Sequence, residues 1–596
     1  MTDPDLDISR LHAAYRAGQK PADVVRAVYR RIGEVNDPGI FIAAVPEADA
    51  VAAADGLGTF DETRPLWGVP FAVKDNIDVA GLPTTAGCAE FATTPKRSAF
   101  VVERLVAAGA IVIGKTNLDQ FATGLVGVRT PYPVPLNALD ATLVPGGSSS
   151  GSAVAVAQGI VSFALGTDTA GSGRVPAALN GIVGLKPTKG LVSTRGVVPA
   201  CRTLDCVSVF AGTVDDAWQV AMVASVYDPG DPYARPFPRG AMALPAKVRL
   251  GVPDTASLIV GSETARLAFA AAVAALPDTG AEPRPIDMTS FYAAAKLLYE
   301  GAWVAERYAA IREFFEAQPE ALFPVTRQIV EMARKFSAVD AFAGQYALAE
   351  FAQKTAQVWR EIDVLVVPTI PDVCTLAEVA ADPLVPNRVL GTYTNFVNLL
   401  DLAAITVPTV ARDDGLPGSV TLIAPAGRDG LLAALAAEIQ ARAGVPIGAT
   451  GRMPAPARAV AAALPAGTIP IAVVGAHLSG MALNRELTDL GATFVKAVST
   501  TPAYRLFALP GGPPHRPGMV RVGNGDGAAI ETEVWAFGPE ALGTFVAGIP
   551  APLGIGNVQL SDGTTVKGFL CEDVATDGAR DITAFGGWRS YIASIS

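Results

Sequence analysis

Three segments of the chain place lysine and serine residues where they could catalyse acyl transfer. An apolar run over 70–73 ends in Lys74, glycines and serines fill 145–152, and the third segment, 166–174, reads Gly-Thr-Asp-Thr-Ala-Gly-Ser-Gly-Arg. A serine nucleophile needs a base, and a lysine can be that base if burial keeps its amine neutral. A second serine can relay the proton between them. The residue types therefore predict a serine hydrolase that uses lysine.

Histidine is scarce, with only His12, His477 and His515 in the chain. The three include no His-x-x-x-His pair of the kind that binds zinc, and His12 is the sole imidazole before residue 477. We therefore expect no metal and no cofactor. Any catalysis that depends on histidine must use one of these three residues.

Two short motifs compete with the lysine hypothesis. Residues 109–116 match the phosphate-loop pattern G-x-x-x-x-G-K-T, but their middle residues, Ala-Ile-Val-Ile, are typical of a buried strand rather than a loop. Residues 147–151 match the G-x-S-x-G nucleophile elbow, yet a poor strand precedes them and the next histidine is His477. Nucleotide binding through Gly109 to Thr116 remains the alternative from a different functional class.

Composition limits the class of protein. The 596 residues include 46 Lys and Arg against 57 Asp and Glu, a net charge of −11, which argues against a nucleic-acid scaffold. Half of the residues are apolar and 17% are charged, so a mainly disordered chain is excluded. The five cysteines include no C-x-x-C pair, which indicates reduced thiols and a cytoplasmic location.

Neither the first residues nor the longest uncharged stretch predicts a targeting or membrane segment. The N-terminal residues 1–18 are acidic and lack the features of a signal peptide. The stretch 141–167 is uncharged, but its first half is too rich in turn-forming residues to span a membrane. We interpret it as a loop that leads into a buried helix.

Hydrophobic patterns predict the elements that must position these residues. Residues 8–36 indicate two amphipathic helices broken near Gly18 and Pro21. From about 40 to 215, short β-branched runs alternate with helical stretches, which is typical of an α/β domain with a sheet covered on both sides. Further strands are expected within 245–255 and 363–368, with helices between 288 and 362.

A change in composition separates two domains. The proline-rich stretch 446–469 predicts a linker between a domain over 1–445 and a smaller α+β domain over 470–596.

The three segments together resemble the amidase signature family over roughly residues 5–445. The resemblance implies a mixed sheet covered by helices, with Lys74 as base, Ser148 as a relay held by a cis peptide, and Ser172 as nucleophile. It also implies an oxyanion hole formed by the backbone amides of Thr169, Ala170, Gly171 and Ser172. Arg174 is expected to brace the loop through carbonyl groups. The adjacent serines, which we expect to be structural, are Ser149, Ser150 and Ser152. Ala170 stands at a position where the family more often has glycine.

Within that family, TAGSGRVPA and the segment 298–308 are similar to allophanate hydrolases, which deaminate urea-1-carboxylate. The similarity implies that Tyr299 and Arg307 hold the substrate carboxylate, and that the backbone of Gly124 lines the same pocket. If both residues lie on one helix, eight positions separate them by about 12 Å of rise. Both side chains then reach the same ligand only if it lies between them. The alternative is that both lie on an ordinary helix surface.

Residues 474–484 resemble the start of the C-terminal domain of allophanate hydrolases, whose fold resembles γ-glutamyl cyclotransferases. The resemblance implies decarboxylation of N-carboxycarbamate, with His477 as the participant. The alternative is a structural histidine satisfied by backbone carbonyls, and His515, in a loop, is the weaker candidate. Glu531, Glu533 and Trp535 alternate along one predicted strand and so share a face. This face offers a second carboxylate for that site, but neither glutamate is assigned a role.

The expected function is therefore allophanate hydrolysis in urea or s-triazine nitrogen catabolism. The family suggests a homodimer and a functional link to urea carboxylase or biuret hydrolase. Another small amide that carries a carboxylate, such as a malonamate-like half-amide, remains the nearest alternative substrate. A catalytically silent assembly subunit is disfavoured because all three catalytic positions are filled.

Overall fold

The chain folds around two separate β-sheet cores. The computed structural model describes residues 5–237, 240–280, 282–456, 464, 467–523 and 525–595. One core cluster joins strands and helices between residues 8 and 439, and another joins residues 471–591. The α/β class and the smaller, sheet-rich C-terminal part are both confirmed.

Eleven strands of the larger part form one mixed sheet. They are β1 (Phe41–Ala44), β2 (Pro70–Lys74), β3 (Ile111–Thr116), β4 (Phe163–Asp168), β5 (Val183–Lys186), β6 (Cys206–Ala211), β7 (Leu250–Pro253), β8 (Arg284–Ile286), β9 (Val364–Pro368), β10 (Leu402–Ala411) and β11 (Pro417–Pro425). Their order is β1-β3-β2-β4-β6-β5-β10-β11-β9-β7-β8. Strand β2 runs parallel to β3 and β4, whereas β4 pairs antiparallel with β6.

Helices cover both faces of this sheet. They are α1 (Ile8–Arg16), α2 (Pro21–Val35), α3 (Glu47–Asp55), α4 (Phe100–Ala107), α5 (Ser150–Ala157), α6 (Val175–Leu179), α7 (Val214–Ala224), α8 (Glu263–Ala274), α9 (Thr289–Glu300), α10 (Val304–Ala317), α11 (Pro324–Glu331), α12 (Ala338–Val358), α13 (Leu376–Ala381), α14 (Val385–Leu390), α15 (Asn395–Leu399) and α16 (Asp429–Ala443).

Alternation along the strands explains the two layers. Phe71 and Val73 of β2 pack with α4, α7 and α16, whereas Ala72 packs with α2, α3 and α5 on the other face. The uncharged stretch 141–167 is a loop followed by the buried helix α5, as predicted. In the described part of the chain, no helix is long and apolar enough to cross a membrane.

The C-terminal part has a five-stranded sheet of order β13-β16-β12-β18-β17 and a three-stranded sheet of order β15-β14-β19. Its elements are β12 (Ile469–Val473), α17 (Asn484–Thr488), β13 (Thr493–Ser499), β14 (Tyr504–Ala508), β15 (Pro517–Arg521), β16 (Glu531–Phe537), α18 (Pro539–Ala547), β17 (Leu553–Gln559), β18 (Thr565–Cys571), β19 (Arg580–Asp581) and α19 (Trp588–Ile595).

The predicted linker 446–469 is described only in part, since 457–463 and 465–466 lie outside the described residues. Its first residues bond to the larger part: the amide of Gly448 donates to Gly181 O at 3.0 Å, and that of Ala449 to Ala157 O at 2.9 Å. The domain boundaries at 445 and 470 stay a prediction.

Candidate active site

Lys74 is the last residue of β2 and lies beside the end of the parallel strand β4. The carboxyl ends of parallel strands meet at one edge of a sheet, which is where side chains can converge. Its Nζ donates to Ser148 Oγ and to Thr167 Oγ1, each at 2.8 Å. Lys74 and Ser148 are fully buried. The structure thus brings the predicted base and relay into direct contact.

Burial decides the protonation of this lysine. Removal from water lowers the pKa of Lys74 to about 7, although the carboxylates of Asp119, Asp168 and Asp205 act in the opposite direction. A large fraction of the amines is therefore neutral near pH 7. A neutral amine can accept a proton from the Ser148 hydroxyl.

Ser148 follows a cis peptide bond after Gly147, and α5 begins two residues later. The neighbouring serines bind backbone carbonyls of β4: Ser149 Oγ donates to Thr167 O at 3.3 Å, and Ser152 Oγ donates to Leu165 O at 2.9 Å. Ser150 Oγ lies 3.4 Å from its acceptor, Asn117 O. Since Ser149 is buried against β4, the nucleophile-elbow interpretation has no support.

Ser172 lies in the turn between β4 and α6. It is 3% exposed, and its Oγ donates to the carbonyl of Gly124 at 3.5 Å. The amide of Gly171 donates to Asp168 Oδ1 at 3.0 Å. The four-amide oxyanion hole stays a prediction, and the Gly171 amide, which Asp168 already engages, is its least available member.

An ion pair fixes this turn. Arg174 Nε and Nη2 donate to the two carboxylate oxygens of Asp168, each at 2.9 Å, and both side chains are fully buried. Burial alone would raise the pKa of Asp168, but Arg174 holds it below its usual value. Arg174 also donates to the carbonyl of Thr394 at 3.2 Å. The predicted brace exists, with a carboxylate rather than carbonyls as its main partner.

The two small residues before Ser172 differ in what they require. Gly171 has φ +136°, and a Cβ there would collide with the Thr394 side chain. Ala170 packs with Cys201, among other apolar residues, and is 2% exposed. The methyl group of Ala170 therefore fits where the family more often has glycine.

Tyr299 and Arg307 lie together, but on two helices. Gly301 has extended backbone angles, φ −112° and ψ −173°, and ends α9 before α10 begins. Arg307 Nη2 donates to Tyr299 OH at 3.2 Å. The expectation of a single helix was wrong, because the break at Gly301 folds one side chain onto the other.

The guanidinium of Arg307 is buried, and the carboxylates that act on it, Asp205 and Glu306, lie beyond ion-pair distance. It is 2% exposed, donates to Thr123 Oγ1 at 3.2 Å, and forms no ion pair within the described ranges. Its Nε is a buried donor that lacks a hydrogen-bond partner. Thr123 precedes Gly124, whose carbonyl faces Ser172. The arrangement can therefore receive an anion close to the nucleophile.

Gly124 cannot carry a side chain. A Cβ at this position would meet the carboxylate of Asp119, which accepts amides from Gly127 at 3.0 Å and Arg129 at 2.8 Å. Glycine at this position therefore leaves room for Asp119, while its own carbonyl accepts the Ser172 hydroxyl. The place of Gly124 at a pocket wall stays a prediction.

Three polar residues of this region had not been predicted: Thr167, Asp119 and Asp205. Burial raises the pKa of Asp205 to about 6, and its carboxylate accepts the amide of Ala200 at 2.9 Å and the hydroxyl of Thr169. Thr167 lies inside the segment 166–174, so the sequence motif could have indicated it. No spacing in the sequence relates Asp119 or Asp205 to that motif, because only the fold places them near the site.

The phosphate-loop alternative fails on the position of Lys115. Residues 111–116 are strand β3, and Lys115 Nζ lies 3.1 Å from Asp75 Oδ1 with both side chains fully buried. Its Nζ also donates to Thr84 Oγ1 at 3.0 Å. A buried, paired lysine in a strand cannot bind phosphate.

His477 lines a separate cavity of about 560 Å³ in the C-terminal part. Its Nε2 lies 2.9 Å from Glu486 Oε2, and its ring stacks on Phe569 at 5.1 Å between centroids. The side chain is therefore satisfied by a carboxylate rather than by backbone carbonyls. His515 lies in an exposed loop near Gly511 O, and His12 packs edge-on against Phe60.

Glu531 and Glu533 do not line the His477 cavity. Glu533 is fully buried and accepts hydrogen bonds from Trp535 Nε1 at 3.0 Å and Arg589 Nη2 at 2.6 Å. Glu531 accepts from Arg589 Nη1 at 2.5 Å. Both carboxylates thus belong to an ion-pair cluster around Arg589.

A family model described as Amidase matches residues 23–433. The chain belongs to the amidase family. A second model, the allophanate hydrolase C-terminal domain, matches residues 469–593 of this amidase. The pair of matches agrees with the two sheet cores.

Two relatives and one solved structure match at least 89% of this chain. This amidase is 46% identical over 549 residues to urea amidolyase of Saccharomyces cerevisiae, a match that spans 90% of the chain and 30% of the relative. The urea amidolyase of Lachancea kluyveri is also 46% identical, over 89% of this chain and 30% of the relative. An allophanate hydrolase structure from Kluyveromyces lactis superposes with a TM-score of 0.80 at 41% identity over 99% of each chain.

Proposed function

We propose that this amidase hydrolyses allophanate, urea-1-carboxylate, and releases ammonia. The observation that carries the proposal is the buried Arg307 guanidinium, which has no ion-pair partner among the described residues. It bonds to Tyr299 OH at 3.2 Å and lies next to the Gly124 carbonyl that faces Ser172. A buried guanidinium without a carboxylate of its own is matched by a substrate that brings one. Allophanate has a carboxylate at one end and an amide at the other.

The first chemical step is acyl transfer to Ser172. Its Oγ attacks the terminal ureido carbonyl, and its proton passes through Ser148 to the neutral amine of Lys74. The carbonyl oxygen becomes negative and is stabilised by the free amides of the 169–172 turn. The carbon–nitrogen bond then breaks, and the leaving nitrogen takes the proton and departs as ammonia.

Water completes the first reaction. Lys74 and Ser148 deprotonate a water molecule, which attacks the acyl carbon and restores the Ser172 hydroxyl. The product is N-carboxycarbamate, which has a carboxylate at each end. We place its decarboxylation, which gives carbon dioxide and further ammonia, in the cavity around His477.

The names of the similar proteins support allophanate as the substrate. The yeast relative is a urea amidolyase and the superposed structure is an allophanate hydrolase. The name of the yeast relative, urea amidolyase, supports a functional link to urea carboxylase or biuret hydrolase, which we propose as the source of allophanate.

The deciding experiment measures ammonia released from allophanate by wild type and by Ser172→Ala. We expect the variant to lose essentially all turnover, with Ser152→Ala as a matched control that keeps the catalytic groups. Near wild-type turnover in Ser172→Ala would refute the mechanism.

A malonamate-like half-amide is the second candidate substrate, because it also pairs an amide with a carboxylate that Arg307 can hold. An ammonia assay over a panel of amides separates the two. A higher kcat/KM for the half-amide than for allophanate would replace the proposed substrate.

We further propose a cytoplasmic homodimer. Four of the five free cysteines are buried thiols, which suits a reducing compartment. Helix α12 exposes Val339, Phe342 and Tyr346 on one face, with Val339 at 76% and Tyr346 at 68% exposed. Light scattering of wild type and Phe342→Glu tests the assembly: a dimer that dissociates in the variant supports it.

A further inference from the structure

One short stretch of backbone contacts both the nucleophile and the buried guanidinium. We call this stretch, residues 121–124, the spacer segment. Ser172 Oγ donates to the carbonyl of Gly124 at 3.5 Å. Arg307 Nη1 donates to Thr123 Oγ1 at 3.2 Å. Because adjacent Cα atoms lie only about 3.8 Å apart, the distance from Ser172 to Arg307 depends on how the spacer segment is folded.

The spacer segment is held in a conformation that its residues do not favour. Phe121 and Ala122 have φ values of 51° and 52°, in the left-handed region. Residues with a Cβ disfavour that region, because Cβ approaches the following carbonyl oxygen. Such residues persist where surrounding contacts impose the conformation, and they cluster at functional sites. Groups outside the segment must therefore hold it.

Arg129 bonds to the chain at both ends of the spacer segment. Its Nη1 donates to the carbonyl of Thr123 at 3.0 Å. Its own amide donates to Asp119 Oδ1 at 2.8 Å, and its carbonyl accepts the amide of Gln120 at 2.7 Å. Its Nη2 reaches a distant part of the chain, the carbonyl of Pro383, at 2.7 Å. Arg129 thus fixes both ends of the segment relative to the rest of the fold.

The guanidinium of Arg129 bonds to backbone carbonyls rather than to a carboxylate. It is 2% exposed, and its Nε is a buried donor without a hydrogen-bond partner. Across the part of the chain that the structure describes, Arg129 forms no ion pair, and Asp119 acts on it from a longer distance. A planar guanidinium can bond two carbonyls in fixed directions. This arrangement suits a residue that orients backbone.

We infer that Arg129 is a positioning residue: by holding the spacer segment, it sets the distance between Ser172 and Arg307 and thereby selects substrates by length. This inference rests on the proposed function for the roles of Ser172 and Arg307. Allophanate has one atom, a nitrogen, between its ureido carbonyl carbon and its carboxylate carbon. The substrate class is then amides with this one-atom spacing, which includes malonamate and excludes oxamate and succinamate.

Length selection follows from the two contacts that a substrate must make at once. Arg307 holds the carboxylate, so the carbonyl carbon must then lie within reach of Ser172 Oγ. Succinamate adds one carbon–carbon bond of about 1.5 Å, and oxamate lacks the intervening atom. A misplacement of about 1 Å at the reacting atoms can cost about 100-fold in rate. Selection requires a rigid spacer segment, because a flexible one would adjust to either length.

The test measures ammonia release from allophanate, malonamate, oxamate and succinamate by the full chain. We expect kcat/KM of wild type to be at least tenfold higher for allophanate and malonamate than for the other two amides. Arg129→Gln should bring the ratio of malonamate to succinamate close to one. A ratio of two substrates in one variant does not depend on the fraction of folded enzyme, so general destabilisation cannot mimic this result.

Two further variants keep the test decisive. Arg129→Lys retains the charge but replaces the planar fork by a single ammonium group, so the ratio should fall to an intermediate value. If Arg129→Gln does not fold, an unchanged ratio in Arg129→Lys overturns the inference. Arg64→Gln is the matched control, because Arg64 also donates to two backbone carbonyls, those of Val106 and Ala107, at the end of α4 instead of the spacer segment. Its ratio should equal that of wild type.

The outcomes separate this inference from the proposed function. Equal kcat/KM of wild type for malonamate and succinamate would overturn length selection, and an unchanged ratio in Arg129→Gln would overturn the role of Arg129. If another amide proves the better substrate while Arg129→Gln still removes the length preference, the proposed function fails and the positioning role stands. If allophanate is hydrolysed but the ratio never changes, the positioning role fails and the proposed function stands. Calorimetric affinities in Ser172→Ala give the same ratio without turnover.

Discussion

Lys74 Nζ lies 2.8 Å from Ser148 Oγ, and no part of either side chain is exposed to solvent. Burial lowers the pKa of this amine to about 7. A group that is usually a permanent cation is thereby close to half-neutral at physiological pH. We therefore expect the relation between these two residues to govern the pH dependence of the enzyme.

We expect kcat/KM for allophanate to rise as pH increases through about 7 and then to level off. Burial lowers the pKa of Lys74 from its ordinary value of 10.5 to about 7, so the protonated, inactive form predominates only below about pH 7. Initial ammonia rates between pH 5.5 and 9 measure this profile. Lys74→Ala should lower kcat about 10²–10⁴-fold, the range for loss of a general base. A rate that climbs only near pH 10 would contradict a neutral lysine.

Ser148 and Ser149 are adjacent and both fully buried, yet only Ser148 contacts Lys74. Ser148→Ala removes the relay and should lower kcat about 10²–10⁴-fold. Ser149→Ala loses one hydrogen bond to Thr167 O and should cost about 1 kcal/mol of stability with kcat nearly unchanged. Steady-state kinetics and urea unfolding of the two variants give the comparison. Equal kinetic losses would argue against the relay.

Arg307→Ala should raise KM for allophanate about tenfold to hundredfold, because a charged hydrogen bond contributes about 1.5–3 kcal/mol. An uncharged amide should be hydrolysed as well as by wild type. Arg312→Ala, on the same helix and 65% exposed, provides the matched control. Equal losses on charged and uncharged amides would mean that Arg307 supports the fold rather than the carboxylate.

Asp168→Asn breaks the fully buried pair with Arg174 and should destabilise the protein by about 3–5 kcal/mol. The control is Glu103→Gln, which breaks a largely exposed pair with Arg97 and should cost at most about 1 kcal/mol. Urea denaturation followed by circular dichroism compares them. Similar midpoints for the two variants would show that the buried pair does not hold the nucleophile turn.

Much of the site was predictable because its residues lie in compact segments. Lys74 ends an apolar strand, and Ser148 and Ser172 stand in glycine-rich runs whose types indicate acyl transfer. The buried strand over 111–116 was also predictable from its β-branched residues, and that strand is what rules out the phosphate loop. Local patterns were sufficient wherever one segment supplied the whole signal.

Prediction stopped where separate segments meet. The break at Gly301 folds Tyr299 onto Arg307, and a continuous helical pattern did not reveal it. The amide of Gly171 turns toward Asp168, whereas the motif alone placed all four amides at the oxyanion. Backbone orientation within a turn depends on the side chains packed around it, so spacing could not specify it.

The sequence by itself determined the reaction class, through lysine and serine residues in a chain with three histidines. Tertiary structure alone decided the protonation of Lys74, because a pKa of about 7 results from burial among residues distant in sequence. It also decided the charge balance: Asp168 neutralises Arg174, whereas Arg307 has no ion-pair partner among the described residues. Charge and solvation depend on three-dimensional neighbours, and linear spacing does not encode them.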